Sequence, residues 1–120
     1  MPADAHHSTS QFDLDTVVTI KGTVLKLQWT NPHVFIQLLV DDANGQAVEW
    51  SLEGPNPGGL ARVGWRANSL KPGDKVTIVY NPLRIAGPGG FALGVITADG
   101  KQIGQTDVQQ MRINNAKNKL

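Results

Sequence analysis

Residues 17–29, VVTIKGTVLKLQW, carry the reading that decides the fold. β-Branched side chains crowd the run, and apolar residues recur with a period near two until the phase slips at Val24-Leu25, just after Gly22. A long strand with such a slip is bent, and each half of a bent strand can pair with a different neighbour. Working outward, Thr30-Asn31-Pro32 is a turn, after which His33 to Val40 alternates strictly. Val34, Ile36, Leu38 and Val40 share one face, and His33, Phe35, Gln37 and Leu39 share the other. The Asn44-Gly45 pair within Asp41–Gly45 signals a hairpin, followed by a third strand on which Val48, Trp50 and Leu52 alternate.

The pattern then breaks. Gly54-Pro55-Asn56-Pro57-Gly58-Gly59 cannot be a strand, and Leu60 to Trp65 has room only for a short helix, so the segment from Glu53 to Lys71 should cross the sheet or cap a barrel end. Leu70-Lys71-Pro72-Gly73-Asp74 is a tight turn into a fourth strand, Lys75 to Tyr80, which Leu83-Arg84-Ile85 can prolong beyond Pro82. Phe91 to Thr97 is a fifth, closing at Asp99-Gly100. Three meandering strands, a short helix or loop segment, and a hairpin of two more strands make an all-β, five-stranded OB-like Greek-key barrel. An immunoglobulin-like sandwich needs about seven strands. The chain divides into an N-terminal arm over 1–16, a barrel over 17–104 and a polar C-terminal tail over 105–120, extended or a frayed helix.

Composition agrees. The 120 residues, 40% hydrophobic and 18% charged, suit one domain, and thirteen Gly with seven Pro argue against a helical bundle. The formal net charge of +1 gives no electrostatic case for nucleic acid, because Lys21, Lys26, Arg62, Arg66 and Arg84 are scattered rather than clustered. Cysteine is absent, which excludes disulfides, thiolate metal sites and a Cys nucleophile. No apolar run approaches the roughly 20 residues that span a bilayer. The opening residues, MPADAHHSTS, lack an apolar core of a signal peptide, yet Ala3-Asp4-Ala5 has the small-x-small form of a signal-peptidase site. Cleavage there would leave His6 as the first residue.

Several strings together resemble a family of small exported bacterial proteins catalogued as a domain of unknown function. They are AHHS at 5–8, FD at 12–13, VTIKGTVLKLQWTNPHVFI at 18–36, VEW at 48–50, GW and SLKPGD between 64 and 74, and ADG at 98–100. The resemblance covers roughly residues 5–103. It implies an OB-like barrel, a signal peptide ending in A-x-A just before HHS, and hence a periplasmic or secreted location. It carries no activity. At 54–59 the sequence departs from the family, which has a more helical segment there.

The three histidines, His6, His7 and His33, fall where the resemblance places the mature start and the opening of the second strand. Histidine is the commonest protein ligand for borderline transition metals. With His6 at the terminus, its α-amino nitrogen and imidazole would chelate Cu(II), and an imidazole from His7 or His33 would extend a tetragonal nitrogen set. An α-amino group titrating at about 7.7 to 8.0 would make that affinity pH-dependent. Against this stands a plainer role for His33, a hydrogen-bonded turn residue whose ring ties the loop to the sheet.

A second set, Trp29, Asn31, Phe35, Trp65, Arg66 and Tyr80, is expected to contact a ligand. Trp29 and Trp65 adjoin turns and are the better surface aromatics, while Trp50 reads as core. Arg62 and Arg66 would form a small anion patch if both lay on a helix. Gly54–Gly59 and Gly87–Gly90 match no phosphate-loop pattern and read as a mobile lid and a flexible hairpin tip. For catalysis only His33 and Glu53 could converge, and no nucleophile elbow, HExxH or carboxylate dyad is present. The leading expectation is an exported binding module with a metal ion, copper foremost, at the histidines. The alternative is an accessory barrel that holds an apolar small molecule or a partner protein on its aromatic face. An enzyme centred on His33 ranks last. A second copy of the chain is an admissible partner, since an incompletely closed barrel leaves a strand edge to pair.

Overall fold

The computed structural model describes residues 11–119. Among these, six strands and two helices follow in order: β1 (Val18–Gln28), β2 (Phe35–Asp41), β3 (Ala47–Glu53), α1 (Pro57–Arg62), β4 (Lys75–Pro82), β5 (Gly89–Thr97), β6 (Gln102–Gly104) and α2 (Val108–Asn118). They form one sheet ordered β3-β2-β1-β4-β5-β6, and a further pairing of β3 with β5 closes strands β1 to β5 into a barrel. This is the expected all-β, OB-like architecture, with a sixth strand the sequence reading did not anticipate.

The bent first strand organises it. The first half of β1 pairs with β4 and the second half with β2, and Thr23 is opposite both Lys75 and Leu39. A bulge between Val24 and Lys26 absorbs the phase slip and puts Leu25 outside the ladder. Gly22 allows the bend: a Cβ there would meet Leu38 Cγ and the Leu39 carbonyl oxygen at 2.7 Å. The inward faces follow the alternation read from sequence. Val34, Ile36, Leu38, Val40, Leu52, Val76, Ile78, Tyr80 and Val95 form the buried core.

Closure is short. Ser51, Leu52 and Glu53 of β3 run parallel to Gly89, Gly90 and Phe91 of β5, and no further pairs join the two strands. Gly89 makes this approach possible, since a Cβ on it would lie 2.8 Å from the Ser51 carbonyl oxygen. The stretch expected to be a flexible tip is therefore partly barrel wall, with Gly89 and Gly90 buried. The chain's need to seal a barrel, invisible to a local reading of Gly-Pro-Gly-Gly, overrides its turn-like composition.

Two other expectations change. The Gly54–Gly59 stretch is not a lid throughout, because Asn56 caps α1 by accepting from the Gly59 backbone N–H at 2.7 Å, and Pro57 occupies the first turn. The helix thus starts and ends three residues before the Leu60–Trp65 window read from sequence. Trp65 is a plug rather than a surface aromatic. Its backbone N–H donates to the Leu60 carbonyl at 3.0 Å, which folds the indole under α1, and the residue is 5% exposed. A segment that must cover an open barrel end puts its largest apolar side chain inward.

Structure also extends past both barrel boundaries drawn above. Phe12, 3% exposed, bridges Leu83 and packs its ring 5.6 Å from that of Phe91. At the other end the polar tail is α2, capped by Asp107 and held by polar contacts. Arg112 donates to the Val17 carbonyl at 2.7 and 3.1 Å, and Asn115 donates to that of Asp15 at 3.1 Å. No helix among the described residues is long and apolar enough to cross a membrane.

Candidate functional site

The closed stretch of the β3–β5 seam ends at Glu53, and there the candidate residues gather. One ladder step before β2 begins, the Gly54 N–H donates to the Val34 carbonyl at 2.7 Å and the Val34 N–H to that of Pro55 at 3.0 Å, so the backbone pairing continues to Val34, next to His33. His33 Nδ1 lies 3.0 Å from the Gly54 carbonyl oxygen. A carbonyl only accepts, so Nδ1 carries the proton, and a neutral ring keeps its lone pair on Nε2. The Glu53 carboxylate is 3.9 Å from the same Nδ1, with side-chain exposures of 37% for His33 and 16% for Glu53. The ring therefore ties loop to sheet, as the plainer reading expected.

Strand register sets the surroundings. Gln28, Phe35, Glu53, Phe91 and Asn81 are successive partners across β1, β2, β3, β5 and β4, and form one row on the outer face. The far end of the row is covered: Phe12 lies on Phe91, and buried Asn81 donates to the Thr16 carbonyl at 2.8 Å. The near end, at Phe35 and His33, is half-buried. The chain thus enters the described structure beside Phe91, one strand from Glu53. His6 and His7 lie outside the described residues. Among those described, no three of His, Cys, Asp and Glu converge on a point that could hold a metal ion.

Beyond Glu53 the seam opens. The chain leaves β3 for α1 while β5 runs on, and the gap is a cleft of about 510 Å³ between α1 and β5–β6. Its walls include Val34, Ile36, Leu60, Val63, Trp65 and Leu93, with backbone at Gly54, Gly59, Gly94 and Gly104. No charged side chain lines it. His33 holds the Gly54 carbonyl at its edge, so the histidine corner and the cleft share a rim.

The expected ligand-contacting residues divide accordingly. Trp65 lines the cleft, and Arg66 sits just beyond it, where its Nη1 donates to the carbonyls of Ala61 at 3.1 Å and Trp65 at 2.8 Å. Arg62 ends α1 whereas Arg66 lies past it, so the two do not share a helical face. Phe35 joins the His33 row. Trp29 is half-buried against the core, and Asn31 is exposed in its turn. Tyr80 is in the core, its ring 5.9 Å from Trp50 in an edge-on contact, and burial raises its hydroxyl pKa above the ordinary value. The cleft-lining Val34, Ile36, Leu60, Val63 and Leu93 were not singled out by sequence. Alternation assigns Val34 and Ile36 to the core, Leu60 and Val63 belong to the short-helix segment, and nothing local reveals that the seam stops three pairs after it starts.

No curated protein matches the chain. The model of a family described as Family of unknown function (DUF6152) matches residues 1–92, and the chain belongs to that family.

Proposed function

Since membership of this family assigns no activity, we propose from the geometry that the protein is a small binding module exported to the bacterial cell envelope, and that its histidine corner takes a Cu(II) ion. The observation that carries this reading is the hydrogen bond from His33 Nδ1 to the Gly54 carbonyl at 3.0 Å. Metal-ligating histidines usually donate their other ring N–H to a carbonyl or carboxylate, which fixes the tautomer and aims the ligating nitrogen. The Glu53 carboxylate adds negative charge beside a centre that would gain positive charge.

Because the described residues supply a single histidine at this corner, the remaining nitrogens come from His6 and His7. His7 is five residue steps from Phe12, and extended chain covers about 3.3 to 3.6 Å per step, or about 17 Å. That reach spans from Phe12, beside Phe91, across the adjacent β3 strand to the His33 edge. The reading rests on processing after Ala5, which makes His6 the terminal amine donor and places the protein in the periplasm or outside the cell.

Calorimetric titration of Cu(II) into the form beginning at His6, into the full chain, and into the His6 form carrying His33→Ala tests it. The His6 form should bind one Cu(II) ion tightly, the full chain less tightly, and His33→Ala should weaken binding by at least about tenfold. Absence of stoichiometric binding to the His6 form, or binding indifferent to His33→Ala, would overturn the proposal.

A further inference from the structure

The cleft makes no use of the histidines, and its chemistry points elsewhere. Its walls are aliphatic side chains, one indole and glycine backbone, so a buried occupant must be apolar where it touches them. At about 510 Å³ it falls within the range of about 300 to 1,000 Å³ usual for small-molecule sites. The mouth has a different character. Val63, at the end of α1, lines the cleft and is 66% exposed. From Gly54 to Gly73 the chain carries Arg62, Arg66 and Lys71 and not one acidic residue.

Arg66 is the best placed of the three. Its Nη1 is anchored to the carbonyls of Ala61 and Trp65, which fixes the guanidinium at the C-terminal end of α1, against the backbone of a residue whose ring lines the cleft. Nε and Nη2 make no hydrogen bond among the described residues, and this edge of a guanidinium is the one that grips a carboxylate with two parallel N–H donors.

We infer that the cleft binds a single-chain carboxylate of the fatty-acid type, with the hydrocarbon chain between α1 and β5 and the carboxylate on Arg66. The electrostatic sense follows from the cationic cap, and the chain from the uncharged walls. The site is separate from the proposed copper corner, although His33 holds the Gly54 carbonyl at the edge of both.

Calorimetric titration of dodecanoate below its micellar concentration, with EDTA present so that metal plays no part, tests this. Dodecanol and phosphatidylglycerol vesicles are titrated in parallel. The full chain should bind one dodecanoate. Val63→Asp, at a position too exposed to threaten folding, should weaken it at least about tenfold by placing a negative charge in the mouth. Arg66→Ala should weaken dodecanoate about three- to tenfold and leave dodecanol nearly unchanged. Leu93→Trp, which fills the cleft, should weaken both ligands. Lack of saturable binding, dodecanoate affinity unmoved by Val63→Asp and Leu93→Trp, or heat with the vesicles alone would overturn the inference.

Discussion

The seam between β3 and β5 has two halves that solve opposite problems. From Ser51 to Glu53 the strands touch, and the wall is so tight that Gly89 and Gly90 leave no room for a side chain. From Gly54 onward the strands part, and a six-residue helix with apolar side chains fills the gap incompletely. Glycines occur in both halves, with opposite meaning. Gly89 in the closed half permits backbone contact between β3 and β5, whereas Gly58 and Gly59 in the open half are conformationally costly residues in the first turn of α1. The closed half fixes the barrel, and the open half leaves the cleft.

The sharpest way to break this contrast is Gly89→Ala. The new methyl would be 2.8 Å from the Ser51 carbonyl oxygen, backbone of the facing strand. A loss of about 3 kcal/mol is expected in urea unfolding. An unchanged midpoint would mean that the seam is not closed as described.

Asn56→Ala probes the open half. It removes the side-chain cap accepting from the Gly59 N–H and should lower stability by about 1 kcal/mol, with faster hydrogen exchange at Gly59 and Leu60. The smallest expected effect has the opposite sign. A methyl on Gly59 meets only the Asn56 side chain, no closer than 3.5 Å, so Gly59→Ala should raise stability by about 0.5 kcal/mol in the same unfolding assay. If the same glycine-to-alanine change destabilised both halves alike, the distinction between them would fail.

The halves also differ in how far the sequence revealed them. Alternation along His33–Val40, the slip after Gly22 and the order of strands and helix were enough to read an OB-like barrel, because each reflects a periodicity imposed by burial. The closing pair was misread, since Gly87-Pro88-Gly89-Gly90 has the local composition of a turn and its role depends on Ser51 and Leu52, almost 40 residues away. Trp65 was misplaced for a related reason. Aromatic residues beside turns are often exposed, but this one must plug the barrel end that α1 leaves uncovered. The β6 strand and the docking of α2 escaped notice because three residues and a polar helix show little periodicity.

The candidate site was legible in part. His33 and Glu53 could be paired from their strands, and Trp65 and Arg66 were named without the reason for their proximity. The cleft itself was not legible, because it exists only where a paired strand stops, a long-range fact that alternation does not encode. Its lining residues look in sequence like any other core.

Metal binding through His33, as proposed, is tested most directly by the amide correlation spectrum of the uniformly ¹⁵N-labelled form beginning at His6, recorded before and after one equivalent of Cu(II). A paramagnetic ion on His33 should erase the signals of His33, Glu53 and Gly54 and leave the Asp42–Gln46 hairpin, at the opposite end of β2, sharp. Loss of signals at the N-terminal residues alone, with His33, Glu53 and Gly54 untouched, would contradict it.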